Sequence, residues 1–252
     1  MSSQLPIVTV AVPSLNQSQF LDEALASIFE QSVPVEVFVA DGGSSDGSLE
    51  VIKRWSPRLA GWRSHRDDGQ SAAINESIHK GTAPYVMWLN SDDMLLPGAL
   101  STLTSALERE TDASVAYGQA WRMDEASGRK KLVWTEPFSD YRLSIRCIIS
   151  QPAAIIRRAS WERVGGLDSG LHMAMDYDLW WRLSKSGAKF LCLSDVVAVN
   201  RLHSETKTRL NRARHYSEAT SIVKRYNGRL PMKWWLWRPY SVWAKHFFPR
   251  LP

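Results

Sequence analysis

Apolar residues in the first hundred positions fall into short continuous runs separated by stretches with a helical period. Ile7-Val8-Thr9-Val10-Ala11-Val12, Val35-Glu36-Val37-Phe38-Val39-Ala40 and Tyr85-Val86-Met87-Trp88-Leu89 are rich in β-formers and bounded by turn residues, so they predict strands. Between them the pattern predicts helices: Ser18 to Gln31, where Phe20, Leu21, Ala24, Leu25 and Ile28 recur at helical spacing, then Leu49 to Trp55, Ser71 to Lys80 and Gly98 to Glu110. Alternating strands and helices are the βαβ pattern of a parallel sheet covered by helices on both faces. Each strand run also breaks into a polar turn: Pro13-Ser14-Leu15-Asn16, Asp41-Gly42-Gly43 and Asn90-Ser91-Asp92-Asp93. In an open parallel sheet the carboxyl ends of neighbouring strands line one crevice, so these three turns converge on a ligand.

Beyond Thr111 the pattern changes. Ser114-Val115-Ala116-Tyr117 and Lys131-Leu132-Val133-Trp134 predict a hairpin through the turn Glu125-Ala126-Ser127-Gly128. A β-run Ala153 to Ile156 follows, then a helix starting at Ser160, the turn Gly165-Gly166, a helix from about Asp176 to Lys185 stopped by Gly187, and a strand Val196 to Val199. The chain has no internal repeat or low-complexity linker.

With 252 residues, 44% of them hydrophobic, the chain has ample material for a globular core. No run approaches the ~20 apolar residues of a membrane span. The first apolar run is short, lacks a preceding basic segment and meets Pro13, which is not the pattern of a signal peptide. Cys147 and Cys192 have no metal-ligand spacing and read as reduced buried thiols of a cytosolic protein, in which the sequons at Asn16 and Asn75 carry no weight. The net charge of +5 is concentrated after His203, where Lys207, Arg209, Arg212, Arg214 and seven further Lys or Arg residues face only Glu205 and Glu218. Such an end points to an anionic partner surface, nucleic acid or the phosphate layer of a membrane.

Asp92 next to Asp93 at a strand end is the strongest local signal, because adjacent carboxylates there can hold a divalent cation that also binds phosphate oxygens. An acidic turn capping the helix after Pro97 accounts for them equally well. Asp41-Gly42-Gly43-Ser44-Ser45-Asp46-Gly47 is compatible with ordinary turn chemistry and does not fit an EF-hand loop. Asp67-Asp68-Gly69-Gln70-Ser71 puts acids and a glycine at a helix start, where free N–H groups can meet an anion. Asp176 falls near another helix N-terminus, where the dipole favours an ionised carboxylate able to act as a base. Asp178 and Arg182 read as a surface ion pair one turn apart, and Trp180 either offers a ring to a sugar or belongs to the core.

In order along the chain stand Pro13-Ser14-Leu15-Asn16, Asp41-Gly42-Gly43-Ser44-Ser45-Asp46-Gly47, Asp67-x-Gly69-Gln70-Ser71-x-Ala73-Ile74-Asn75, Asn90-Ser91-Asp92-Asp93, Gln151-Pro152, Gly165-Gly166-Leu167-Asp168 and Ala174-Met175-Asp176-Tyr177-Asp178-Leu179-Trp180. Over roughly Ile7 to Lys207 this series resembles the family-2 glycosyltransferases of GT-A fold, and most closely the bacterial members that build surface polysaccharides. The resemblance implies an α/β fold with a Rossmann-like, mostly parallel sheet and a basic Trp-rich tail. It implies a nucleotide-sugar-binding half over 1–110 and an acceptor-binding and catalytic half over 111–206, and the composition adds a basic aromatic segment over 207–252. Pro13, Asn16, Asp41, Asp67, Asn75 and Asp92 would then contact the nucleotide-sugar. Asp93, Asp92 and His203 would hold Mn²⁺ or Mg²⁺, Gln151 and Trp180 would meet acceptor or donor sugar, and Lys207 the diphosphate. Asp176 would be the base of an inverting displacement. The family often carries an acid immediately before this base; here Met175 stands there. For His203 a loop histidine without function stays open.

The segment Met232 to Phe248 mixes Trp, Phe and basic residues as interfacial segments do, which predicts a peripheral membrane contact suited to a lipid-linked saccharide acceptor. A tail helix packed on the domain, or a homo-oligomer contact, stands beside that reading. The expectation is thus a cytoplasmic enzyme on the inner face of the cell membrane, with a nucleotide-sugar donor and no nucleic acid. A sugar-nucleotide or polyanion-binding module and a nucleotidyltransferase are the rivals. The latter would release inorganic diphosphate where a glycosyltransferase releases a nucleoside diphosphate.

Overall fold

The computed structural model describes residues 5–238. The chain runs β1 (Val8–Ser14), α1 (Ser18–Phe29), β2 (Val35–Asp41), α2 (Ser48–Trp55), β3 (Gly61–Ser64), α3 (Gln70–Lys80) and β4 (Tyr85–Trp88). It continues through β5 (Met94–Leu95), α4 (Ala99–Arg109), β6 (Ala113–Asp124), β7 (Lys130–Leu132), α5 (Asp140–Ile145), β8 (Ala154–Arg157) and α6 (Arg158–Arg163). Last come α7 (Met175–Lys185), β9 (Lys189–Leu202), α8 (Lys207–Leu210), α9 (Arg212–Asn227) and α10 (Met232–Arg238).

The strands form one nine-stranded sheet in the order β3-β2-β1-β4-β8-β6-β9-β5, with β7 added to β6. Pairs β1–β2, β1–β4, β2–β3 and β6–β9 are parallel, whereas β8, β5 and β7 run against their neighbours. The sheet is therefore mostly parallel, with its reversals gathered in the second half of the chain. Strand alternation divides the interior into two layers. Val8, Val10 and Val12 of β1 and Met87 of β4 pack with α1, α2 and α4 on one face. Ala11, Val86 and Trp88 pack with α3, α6, α7 and α9 on the other.

The four predicted helices of the first hundred residues appear with ends shifted by a residue or two. Gly61–Ser64 and Met94–Leu95, too short for a periodic signal, are strands all the same. The expected hairpin exists, but Ser114 to Tyr117 is not its arm. Only Trp121 to Met123 pair with β7, while Val115 to Tyr117 lie between β8 and β9. The expected strand at Val196 is the end of a much longer one, β9, bent by register shifts against β6. Asp178 and Arg182 are not a surface pair: the Asp178 side chain is 1% exposed, 2.6 Å from Arg182 Nε. The Tyr226 hydroxyl also donates to Asp178, and Arg182 binds the carbonyls of Val164 and Gly166, so the pair ties α7 to α9 and to the turn after α6. Cys147 and Cys192 are free and half-buried.

Candidate active site

The carboxyl ends of β1, β2 and β4 lie side by side, Ser14 opposite Asp41 and Ala11 opposite Trp88. The loops after β1 and β2 are stitched into one surface. Asn16, in the left-handed region at φ 52°, accepts from Ser45 N at 2.9 Å, and its own N–H donates to Ser44 Oγ at 2.7 Å. Asp41 is fully buried and accepts from Gly43 N, Ser44 N, Ser44 Oγ and Ser64 Oγ. Asp67 is paired to Arg63 at 3.0 Å and accepts from Gly69 N. Gly42 runs so close to Leu15 and Asp67 that a Cβ would sit 3.3 Å from the Leu15 methyl. Pro13 is buried in β1, and the neighbouring Ser14 hydroxyl is buried without a protein partner at the mouth of the crevice. Pro13, Asn16, Asp41 and Asp67 are thus brought together on one rim.

Asn75 is not there. Its Oδ1 accepts from Leu167 N at 2.9 Å and its Nδ2 donates to Leu167 O at 2.8 Å, so both ends of the amide hold the Gly165-Gly166-Leu167 turn. A Cβ on Gly166 would come within 2.6 Å of Asn75 Oδ1, which is why glycine stands at that position. The expectation that Asn75 binds the nucleotide-sugar is corrected on this ground.

Asp92 and Asp93 point in different directions. The short β5 pairs antiparallel with β9, Met94 opposite Val199, which carries the preceding acidic turn onto Arg201 and His203. Asp93 is 4% exposed, its Oδ1 taken by Arg201 N at 3.0 Å and its Oδ2 by Asn90 Nδ2 at 3.1 Å. Burial, and then the Asp92 charge beside it, push Asp93 well above the usual carboxylate range. Asp93 thus holds the turn against β9, and it stands beside Asp92 and His203 as one of the three residues expected to hold the metal. Asp92 instead presents Oδ2 to His203 Nε2 at 3.0 Å. His203 is 7% exposed, its ring centroid 4.7 Å from that of Phe20, and its Nδ1 is buried without a partner. A carboxylate oxygen and an imidazole nitrogen at this separation are a donor set that would suit Mn²⁺. No group of three or more such side chains forms a closed metal cage among the described residues. Arg201, whose role the sequence did not announce, locks the turn from behind: Nε binds Asp92 O at 3.1 Å, and the guanidinium pairs with Glu23 and Glu125.

The first turn of α3 joins this rim to the other half of the crevice. Gln70 Nε2 donates to Asn90 Oδ1 at 2.8 Å, and its Oε1 accepts from Lys207 Nζ at 3.0 Å. Gln151 belongs to the same network, its Nε2 on Trp88 O at 2.7 Å and its Oε1 3.3 Å from Asn90 Nδ2. One residue along, Ser71 Oγ lies 3.2 Å from Leu171 O and 2.9 Å from Met175 Sδ, against the start of α7.

Asp176, half-buried, is the second residue of α7 and accepts from Tyr177 N at 2.8 Å. The helix dipole and that N–H favour the anion, but burial outweighs them and pushes its pKa up. His215 of α9 is close enough to interact with it electrostatically. His215 is exposed, though the protein around it pushes its pKa down, while Asp176 and Glu218 act the other way. A half-buried carboxylate raised in this manner is a better proton acceptor than a free one. Trp180, by contrast, is fully buried and its ring lies parallel to that of Trp88 at 6.4 Å, so it has no face for a sugar. It is a core aromatic, and the sugar-contact expectation is corrected. Sequence reasoning missed Ser14, Gln70, Arg201, His215 and Glu218 as functional residues; of these only Ser14 and Gln70 sat inside a motif.

Residues 9–165 match the family described as "Glycosyl transferase family 2". Chondroitin synthase of Escherichia coli is 21% identical over 246 residues, covering 94% of this chain and 35% of that protein. The chain spans about a third or less of the first curated relatives it matches, 21% in the case of chondroitin synthase from Pasteurella multocida. Among solved structures, the mannosyltransferase PcManGT of Pyrobaculum calidifontis in complex with GDP-Man and Mn²⁺ shares the fold at a TM-score of 0.69, with 21% identity over 98% of this chain and 73% of that one. S. aureus TarS 1-349 in complex with UDP-GlcNAc gives 0.68 and 17% identity over 98% and 76%.

Proposed function

Because the chain belongs to glycosyl transferase family 2, we propose that it moves a sugar from a nucleoside-diphosphate sugar to a hydroxyl of a saccharide acceptor with inversion, in polysaccharide assembly. One observation carries the reading. The first turn of α3 touches the Asp92 turn through Gln70 and the Asp176 helix through Ser71, so an acidic turn with a histidine and a half-buried base flank one crevice. That is the division an inverting displacement needs, with the leaving group held on one side and the proton accepted on the other.

Asp176 accepts the acceptor hydroxyl's proton as that oxygen attacks the anomeric carbon and the bond to diphosphate breaks. Its raised pKa matches it to a proton that is hard to remove near neutral pH. Asp41, Asp67 and Asn16 shape the wall for base and ribose, and the Ser14 hydroxyl is free to bond there. Asp92 and His203 would hold Mn²⁺ or Mg²⁺, which supplies positive charge against the departing diphosphate. Lys207, close to this turn through Gln70, adds a second cation. UDP-GlcNAc on TarS and GDP-Man on PcManGT support a nucleotide-sugar donor, with UDP-sugars favoured.

The acceptor is a saccharide on a lipid, met at the cytoplasmic face of a membrane. Support comes from α10, which is pinned by Trp234 Nε1 on Ser144 O at 2.8 Å while Met232, Trp235 and Leu236 on the opposite side stay exposed. Lys224 lies 6.0 Å from the Trp235 ring, giving the apolar face a basic border. None of the described helices is long and apolar enough to cross a membrane. The part of the Trp-rich segment after Arg238 lies outside the described residues. Sedimentation with anionic vesicles tests the contact: Trp235→Ser with Leu236→Ser lowers the bound fraction, and unchanged binding speaks for a packed tail or a homo-oligomer.

A thermal-shift panel of UDP, GDP, dTDP and CMP with and without Mn²⁺ or Mg²⁺ tests the donor site. One nucleoside diphosphate stabilising only with metal supports the transferase reading, by about 3 kcal/mol at a hundredfold excess over Kd. No shift from any of them would count against it.

A further inference from the structure

The residue in the capping position of α7 is Ala174, which has no side-chain acceptor for the N–H groups at the helix start. The acceptor comes from α9. Glu218 Oε2 lies 2.7 Å from Met173 N, 3.1 Å from Ala174 N and 3.2 Å from His172 N, so successive N–H groups converge on one carboxylate oxygen. Backbone amides arranged in this way form an anion-binding concavity, here filled by a side chain of the same protein. The other oxygen, Oε1, is held by Arg214 Nε at 3.0 Å, and the Glu218 side chain is only 14% exposed. A carboxylate this enclosed and this fully bonded stays ionised and does not wander between rotamers.

What it holds is the strand of chain that enters the base. Residues 172–174 lead directly into Met175 and Asp176, and nothing more than one residue separates the captured N–H of Ala174 from the Asp176 backbone. His215 lies one turn before Glu218 on the same side of α9 and interacts electrostatically with Asp176, so two positions of this helix address the same short segment. Resting on the reading of Asp176 as the base, we propose that Glu218 is its positioning residue: by gripping the 172–174 backbone from α9, it sets the direction in which the Asp176 carboxylate meets the acceptor hydroxyl. Helix α9 is then part of the catalytic apparatus, although it lies beyond the residues matched by the family. Loss of the grip leaves the nucleotide rim untouched, because Asp41, Asp67 and Asp92 are held by other elements.

The test uses the full chain and water as the acceptor, following nucleoside diphosphate release from the donor selected by thermal shift. Glu218→Ala is expected to slow release by about tenfold to a hundredfold, the cost of a base misplaced by an ångström or so. Nucleoside diphosphate affinity stays within twofold, and the amides of Met173 and Ala174 exchange faster. Glu218→Gln, which keeps one acceptor oxygen, recovers part of the rate. Wild-type turnover in Glu218→Ala overturns the proposal, and so does a loss matched by an equal loss of nucleotide affinity. Asp176→Asn run alongside separates the two readings. Full turnover in that variant overturns the base assignment, whereas its loss beside an undamaged Glu218→Ala overturns the positioning role alone.

Discussion

Asp41, closing β2, and Asp176, opening α7, are carboxylates at the ends of two different elements, and the fold treats them differently. Asp41 is surrounded by donors from Gly43, Ser44 and Ser64, all within its own half of the sheet. Asp176 has the Tyr177 N–H beside it, and burial drives its pKa up. A carboxylate whose lone pairs are taken by the protein shapes a wall; one left short of donors retains the basicity that proton transfer requires. Hydrogen bonding also separates two neighbours within a single turn. Asp93 spends both oxygens on Arg201 and Asn90, and Asp92 keeps an oxygen for His203.

The sharpest way to break this comparison is Asp176→Asn. Sugar transfer should fall by about 10²- to 10⁴-fold, the usual span for a general base, with nucleotide binding retained. Stability should move the opposite way. A carboxyl whose pKa is raised by folding costs stability once pH has risen through the ordinary value to the raised one, so the neutral amide is expected to raise Tm at pH 7. Retained turnover, or a lowered Tm with lost turnover, would remove Asp176 from the role of strained base.

Exchanging the two neighbours gives the next largest effect. Asp92→Ala should abolish the metal-dependent part of the nucleotide thermal shift while leaving the free protein's Tm nearly unchanged. Asp93→Ala should instead lower the Tm of the free protein, because the orphaned Arg201 N–H and Asn90 amide each cost about 1–3 kcal/mol. The reverse pattern would make Asp93, not Asp92, the main ligand. The smallest effect concerns pH. Turnover should decline as pH falls through the raised pKa of Asp176, above the ordinary carboxylate range. His215→Gln, which removes the imidazole whose charged form lowers the Asp176 pKa, should move that acid limb higher still. A limb that stays in place in the variant would show that the two groups do not share their protons.

Much of the first half was legible from pattern. The helices at Ser18, Ser48, Gln70 and Ala99 and the strands at Val8, Val35 and Tyr85 follow from local periodicity. The acidic turns at their ends lie at the crevice because parallel strands bring their carboxyl ends together. The second half was harder to read, since the long β6 serves three partners in turn and alternation says only which layer a residue faces. Trp180 carried the same ambiguity: an aromatic after an acid in a helix is compatible with a sugar platform or a core, and only its burial against Trp88 decides.

The sequence by itself determined the layered α/β class, the family and the set of polar residues gathered at one sheet edge, because these depend on period, turn chemistry and the order of short motifs. Tertiary structure decided which of those residues are free to act. Asn75 is consumed by Leu167, 92 residues away, and Asp92 is answered by His203 at a separation of 111. The loop before Asp176 is gripped by Glu218, 44 residues after Ala174. Whether a polar side chain is satisfied depends on what lies across from it in space. Spacing along the chain cannot show it, since the hydrogen bonds that use up a donor or acceptor form only when distant elements pack together.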